Sequence, residues 1–292
     1  MSRSIDAVLP LRARDLPRAR LLAASLRRFC KGIGTLWLVA SDEALPEAER
    51  IFADVAPCEA VPEREVVPEL RSWRARLWPQ WVGAARPGYR GQQLIKLGMS
   101  ERVRSDFYLT LDADVLAVAP IDADWLVPGG KARTVRDDGG AHRNWYAAAS
   151  EILGVPASPW EHGVTPCVLS RACVRSLLAY MEQSPSRARP VVTSEPTVSG
   201  AWRGPLMRRH DWTEYTLYHT FVEAAGADAE YHQPIPRDAW YSANVWVAQD
   251  WASWSPEAAF GGNGSFRFCV LQSSAIPDAA DVERAVRRYL ER

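Results

Sequence analysis

Asp112 and Asp114 stand one residue apart in Asp106-Phe-Tyr-Leu-Thr-Leu-Asp-Ala-Asp-Val115, with an apolar run before them and another, residues 115–118, after them. Side chains alternate along an extended chain, so this spacing points both carboxylates to one side and Ala113 to the other. Two acids at the end of an apolar strand repel each other and lose hydration, a cost that a cation between them removes. Hard divalent ions such as Mg²⁺ or Mn²⁺ take oxygen ligands, and Mg²⁺ commonly uses one or two carboxylates with water and phosphate oxygens. The competing structural reading makes Asp112 a strand end and Asp114 a turn cap.

A helix expected over 92–104 leads directly into that strand. Gln92, Lys96 and Ser100 are spaced four apart and share one of its faces, while Leu94, Leu97 and Met99 cover others. Lys96 is either solvated or, with Gln92 and Gln93, lines a pocket for a nucleotide. In the second case its loss weakens ligand binding and leaves stability nearly unchanged.

The elements that must position these groups can be read from the apolar periodicity. Residues 5–11, 35–41, 58–61 and 107–111 read as strands, and 16–29 and 46–52 as helices. Strands alternating with helices in the first hundred residues predict a parallel α/β sheet with crossover helices. Ligands of such sheets bind beyond the carboxyl ends of the strands, where Arg12, Asp42, Asp112 and Asp114 all fall. Between Pro62 and Gly91 the periodicity dissolves around Trp73, Trp78 and Trp81, predicting an irregular segment that covers the site or packs on the sheet.

At 292 residues the chain suffices for one large domain or two closely joined ones. Its 35 basic and 35 acidic residues balance, which leaves no electrostatic footprint for nucleic acid or an anionic membrane. Only Lys31, Lys96 and Lys131 among the basic residues are lysines, the rest being arginines. No apolar run is long enough to be a transmembrane segment, and the first residues lack the core of a signal peptide. Five scattered cysteines without a Cys-x-x-Cys pair predict reduced thiols, and together these features predict a soluble cytoplasmic protein.

Val8-Leu-Pro-Leu-Arg-Ala-Arg-Asp15, Gly91-Gln-Gln-Leu-Ile-Lys-Leu97 and Tyr108-Leu-Thr-Leu-Asp-Ala-Asp-Val115 together resemble a GT-A-fold glycosyltransferase. More narrowly, they are similar to an uncharacterised bacterial GT-A-like group with a Gln-Gln-x-x-Lys helix, an Asp-x-Asp strand and a later Ser/Thr-Glu-Tyr helix. That last motif is matched here by Thr213-Glu-Tyr215. The resemblance spans residues 5–225. It implies a single GT-A-like, Rossmann-related α/β domain with a mixed sheet flanked by helices. Residues 1–120 would bind a nucleotide-sugar donor, and residues 121–292 a sugar, glycan or small-molecule acceptor. Asp112 and Asp114 would hold Mn²⁺ or Mg²⁺ on the donor diphosphate, with Arg12, Asp42, Gln92, Gln93 and Lys96 also on the donor side.

In the second half, residues 131–136 and 162–170 read as strands, and 145–153 and 171–181 as helices. The group tends to place a His at the start of the strand at 162, so His162 would contact donor sugar or acceptor; the structural alternative is a packed His. Residues 184–211 read as a long loop. Asp211 followed by Glu214 spells a capping box for a helix reaching 225, and either carboxylate is also a candidate to work on the acceptor hydroxyl. We expect Asp211 to cap and Glu214 to face substrate. The aromatic-rich stretch 239–254 suits a core patch or a sugar platform. A last strand is expected over 266–273 and a last helix over 281–292. No His follows His232, so Gln272 or water would complete the metal shell. The function expected is metal-dependent glycosyl transfer. The alternatives are a sugar nucleotidyltransferase, against which the first strand lacks a glycine-rich phosphate loop, and an inactive nucleotide- or sugar-binding module.

Overall fold

The computed structural model describes residues 4–71, 87–183, 189–262 and 264–291. In chain order its strands are β1 (Ile5–Pro10), β2 (Ile33–Ala40), β3 (Cys58–Pro62), β4 (Phe107–Thr110), β5 (Val115–Ala117), β6 (Ala132–Asp137), β7 (Glu161–His162), β8 (Cys167–Ser170), β9 (His232–Ile235) and β10 (Phe268–Val270). The central sheet has the order β3-β2-β1-β4-β8. Its first four strands are parallel and β8 closes one edge antiparallel, pairing Thr110 with Cys167. This is the mixed sheet of a single α/β domain that the sequence predicts.

Period-two alternation divides the core between the two faces of the sheet. Ala7, Leu9, Leu36, Leu38 and Leu109 meet the helices Leu16–Phe29 and Leu45–Phe52 through Leu22, Leu26 and Phe52. Val8, Trp37, Val39 and Tyr108 point the other way, onto the helices Pro87–Gly98, Arg171–Glu182 and Glu214–Ala224. Asp6, buried in an apolar strand, accepts hydrogen bonds from the Thr35 and Arg104 amides and the Trp37 indole. Two smaller sheets complete the fold: β5 with β10, and β6 between β7 and β9.

Several expected elements differ. The helix before β4 begins at Pro87 and ends at Gly98, followed by a 3-10 turn over Met99–Glu101. Strand β4 stops at Thr110, and the Val115 amide bonds the Asp112 carbonyl at 3.2 Å, so Asp112 and Asp114 occupy a turn. Alternation therefore does not apply between them. The strand expected over 162–170 is split into β7 and β8 across Gly163 and Pro166. Helix Glu214–Ala224 is capped by Thr213, whose hydroxyl accepts the Thr216 amide at 3.1 Å. Asp211 is thus not the cap; it forms an ion pair with Arg209 at 2.7 Å, which holds its carboxyl below the ordinary range. Part of the segment expected to be irregular is helical at Glu63–Val66, while Trp73, Trp78 and Trp81 lie outside the described residues. Among the described residues no helix is long and apolar enough to cross a membrane.

Candidate functional site

Three elements converge at the carboxyl end of β4. The Pro87–Gly98 helix brings Lys96, the turn after β4 brings Asp112, and the first residue of the Glu214–Ala224 helix brings Glu214. The first of these helices lies close against its neighbour because residue 98 is glycine: a Cβ there would come within 2.9 Å of Val66. Lys96 Nζ is 2.8 Å from Glu214 Oε1, donates to Tyr215 OH at 3.1 Å, and sits 2.8 Å from Asp112 Oδ1. The contact with Asp112 is a second ion pair of the same ammonium. The Lys96 and Glu214 side chains are each 3% exposed, that of Asp112 26%.

The network continues into the sheet. Thr110 Oγ1 donates its single proton to the Cys167 carbonyl, so Tyr215 OH donates to Thr110 at 3.0 Å. Tyr108 OH holds the Lys96 carbonyl at 2.9 Å. Burial opposes the Lys96 ammonium, but Asp112 and Glu214 outweigh it and hold its pKa well above the ordinary lysine value. Burial raises the Glu214 carboxyl; Lys96 opposes that shift and Asp112 adds to it.

Asp114 takes a different course. Its Oδ2 accepts the Ser273 amide at 2.9 Å, and burial together with the neighbouring Asp112 pushes its carboxyl up to about 6. The backbone around it is fixed by Arg18, which reaches across to the Leu271 and Ile276 carbonyls.

Lys96, Asp112, Glu214 and Tyr215 line a cavity of about 590 Å³ together with Gln92, Gln93 and Gln272. Gln93 is buried, and its Nε2 has no hydrogen-bond partner among the described residues. Another part of the wall is built by β6, β7, the turn at 138–142 and the helix Arg143–Leu153. Asp137 and Glu161 are register partners across β6 and β7. Asp137 accepts the Gly139 amide at 3.0 Å and Arg237 Nε at 2.8 Å. Glu161 Oε2 accepts the Ala141 amide at 2.6 Å, and its other oxygen meets His142 Nδ1. The His142 ring stacks on Trp145, with centroids 4.5 Å apart and planes 12° from parallel. Trp246, from the aromatic-rich stretch, reaches the cavity, whereas Trp240 packs in the core.

Of the residues picked out from the sequence, the fold gathers Gln92, Gln93, Lys96, Asp112, Glu214 and Gln272 on one cavity. Arg12, Asp42, Asp114, His162 and Asp211 do not line it. Asp42 forms an ion pair with Arg64, and the Arg12 amide bonds Asp15 in a 3-10 turn. The His162 side chain is wholly buried, stacked on His219 at 3.8 Å and bonded to Glu223 at 2.8 Å. His142, Glu161, Asp137, Arg237 and Trp145 escape sequence reasoning, because their meeting depends on the pairing of β6 with β7 and on the turn at 138–142.

Among the described residues no group of three or more His, Cys, Asp or Glu side chains is arranged to hold a metal ion. Two carboxylates nonetheless suffice for a hard divalent cation that keeps water and phosphate ligands. Asp112 Oδ1 already faces the Lys96 ammonium and Asp114 Oδ2 holds the Ser273 amide, but burial and the charge of Asp112 raise the Asp114 carboxyl, so a cation near both carboxylates would offset that cost. The donor set fits such an ion.

The profile of a family of unknown function, DUF6492, matches residues 2–292. No curated protein matches the chain. Among solved structures, the chain is similar to mouse xyloside xylosyltransferase 1 in its apo form, at 11% identity and a TM-score of 0.49, over 91% of this chain and 97% of that one.

Proposed function

This chain belongs to the family of unknown function DUF6492, and we propose that it is a glycosyltransferase that uses a nucleotide-sugar donor with Mn²⁺ or Mg²⁺. The observation that carries the reading is the buried Lys96 ammonium between Asp112 and Glu214 on the cavity wall, beyond the carboxyl ends of parallel strands. A protein rarely buries an ion cluster of this kind for stability alone, since desolvation offsets most of the attraction. Placed beside a cavity, the cluster combines a fixed ammonium with an excess of carboxylate charge, which a divalent cation brought in with a phosphorylated ligand would balance.

In this reading residues 1–120 hold the donor and residues 121–292 the acceptor. Asp112 and Asp114 hold the divalent cation, which when bound offsets negative charge on the departing nucleoside diphosphate. Lys96 presents its ammonium toward that same diphosphate, and Glu214 fixes where the ammonium points while facing the substrate. Gln92 and the unpartnered amide of Gln93 offer hydrogen bonds to donor oxygens. Trp145 and Trp246 provide aromatic faces for a sugar ring.

Calorimetry of UDP and GDP binding, with and without Mn²⁺, tests this. Wild-type protein binds one of them in a Mn²⁺-dependent way, and Asp112→Asn loses that dependence. If neither nucleotide binds and no nucleotide sugar is hydrolysed, the reading fails. If Asp112→Asn binds with undiminished metal dependence, the metal site is misassigned.

A further inference from the structure

Glycosyl transfer to a hydroxyl requires a group that takes the hydroxyl proton, and the cavity holds six side chains able to do so. Four are committed elsewhere. Asp112 and Glu214 are bound to Lys96, Asp137 has one oxygen on the Gly139 amide and the other on Arg237, and Glu161 has one oxygen on the Ala141 amide and the other on His142. Asp138 is exposed, and no contact within the described residues orients it.

His142 differs from all of these. Glu161 is 4% exposed and can only accept at its ionised oxygens, so the proton of a neutral His142 ring sits on Nδ1. The lone pair is left on Nε2, which has no hydrogen-bond partner among the described residues. Stacking on Trp145 fixes the ring plane, while the side chain keeps 33% of its surface exposed at the cavity. A base whose second nitrogen is oriented by a buried carboxylate is the arrangement that activates hydroxyl nucleophiles.

Resting on the glycosyltransferase reading above, we propose that His142 is the general base of the transfer and Glu161 its positioning residue. The acceptor oxygen forms its bond to the anomeric carbon as the bond from that carbon to the diphosphate oxygen breaks. The bonding pair departs with the diphosphate, and the hydroxyl proton passes to His142 Nε2. Glu161 balances the resulting imidazolium, which returns the proton to solvent before the next cycle. One displacement of this kind inverts the anomeric configuration.

The test uses the full chain with Mn²⁺, the donors UDP-glucose, UDP-N-acetylglucosamine and GDP-mannose, and water as acceptor. Wild-type hydrolysis loses rate on the acid side of a single ionisation. His142→Gln lowers kcat by about 10²–10⁴-fold, the range for a positioned base; it removes the acid limb and leaves UDP or GDP affinity unchanged. His142→Gly regains rate with added imidazole. Glu161→Gln lowers kcat with KM unmoved and shifts the acid limb to lower pH, because the imidazolium has lost its carboxylate; a purely structural Glu161 would not move that limb. Wild-type turnover alongside a His142→Gln variant with the same rate and acid limb overturns the base and leaves the glycosyltransferase reading standing. A wild-type protein that neither binds nor hydrolyses any of the donors overturns both.

Discussion

Lys96 Nζ and Glu214 Oε1 meet at 2.8 Å from positions 118 residues apart, both buried, with Asp112 as the third charge of the group. One cation and two carboxylates carry a net negative charge into a desolvated site. The two carboxylates hold the Lys96 ammonium firmly protonated against its burial, while burial raises the Glu214 carboxyl in spite of Lys96. This pairing also gives Lys96 a structural role, which the expectation of a ligand contact with little effect on stability did not include.

Removing Lys96 therefore strands two buried carboxylates. Lys96→Met is expected to lower folding stability by about 3–5 kcal/mol, the scale for breaking a buried ion pair from one side. The double variant Lys96→Met/Glu214→Met recovers part of that loss, because the largest uncompensated charge is gone. Urea unfolding of wild type, both singles and the double gives the coupling energy. Additive losses would show that the pair does not interact.

The start of the Glu214–Ala224 helix offers a local comparison. Thr213→Ala removes the side chain that accepts the Thr216 amide and should cost about 0.5–2 kcal/mol. Asp211→Ala, which removes an ion pair with the half-exposed Arg209, should stay within about 0.5 kcal/mol of wild type. Thermal melts that rank the two the other way would restore Asp211 as the cap.

Three histidines are packed together behind the cavity: His162 stacks on His219, whose centroid is 5.5 Å from that of His232. Burial, then His162 and His232, push the His219 pKa well below the ordinary imidazole value; burial lowers His232 too, against Asp228. Below about pH 6.5 the unfolded chain takes up protons that the folded histidines refuse, so their contribution to stability is full above that pH and falls beneath it, while the raised Asp114 carboxyl contributes with the opposite sign. The slope approaches about 1.4 kcal/mol per pH unit for each such histidine. Unfolding free energies measured between pH 7.5 and pH 5.5, on the order of one imidazole titration on either side, should show this fall. In His219→Leu the slope should be shallower, and an equal slope would remove His219 from the account.

The apolar strands at 5–11, 35–41 and 107–111 were legible because burial on both faces of a parallel sheet demands continuous hydrophobic runs. Their position brought Asp112 into view as a group at a strand's carboxyl end, and four-residue helical spacing did the same for Gln92 and Lys96. Glu214 was visible through its motif. What the sequence could not determine was direction. Asp112 and Asp114 look equivalent when read as a strand, yet the backbone turns after Thr110 and sends one to the cavity and the other to the Ser273 amide. His162 and His142 are both single histidines near strand ends. Tertiary packing buries the first against His219 and Glu223 and leaves the second on the cavity wall with Glu161 behind it. Periodicity is local, and it fixes which residues form an element and which of its faces is apolar. Whether a charged group is paired, and with what, depends on residues a hundred or more positions away, so only the folded chain decides it.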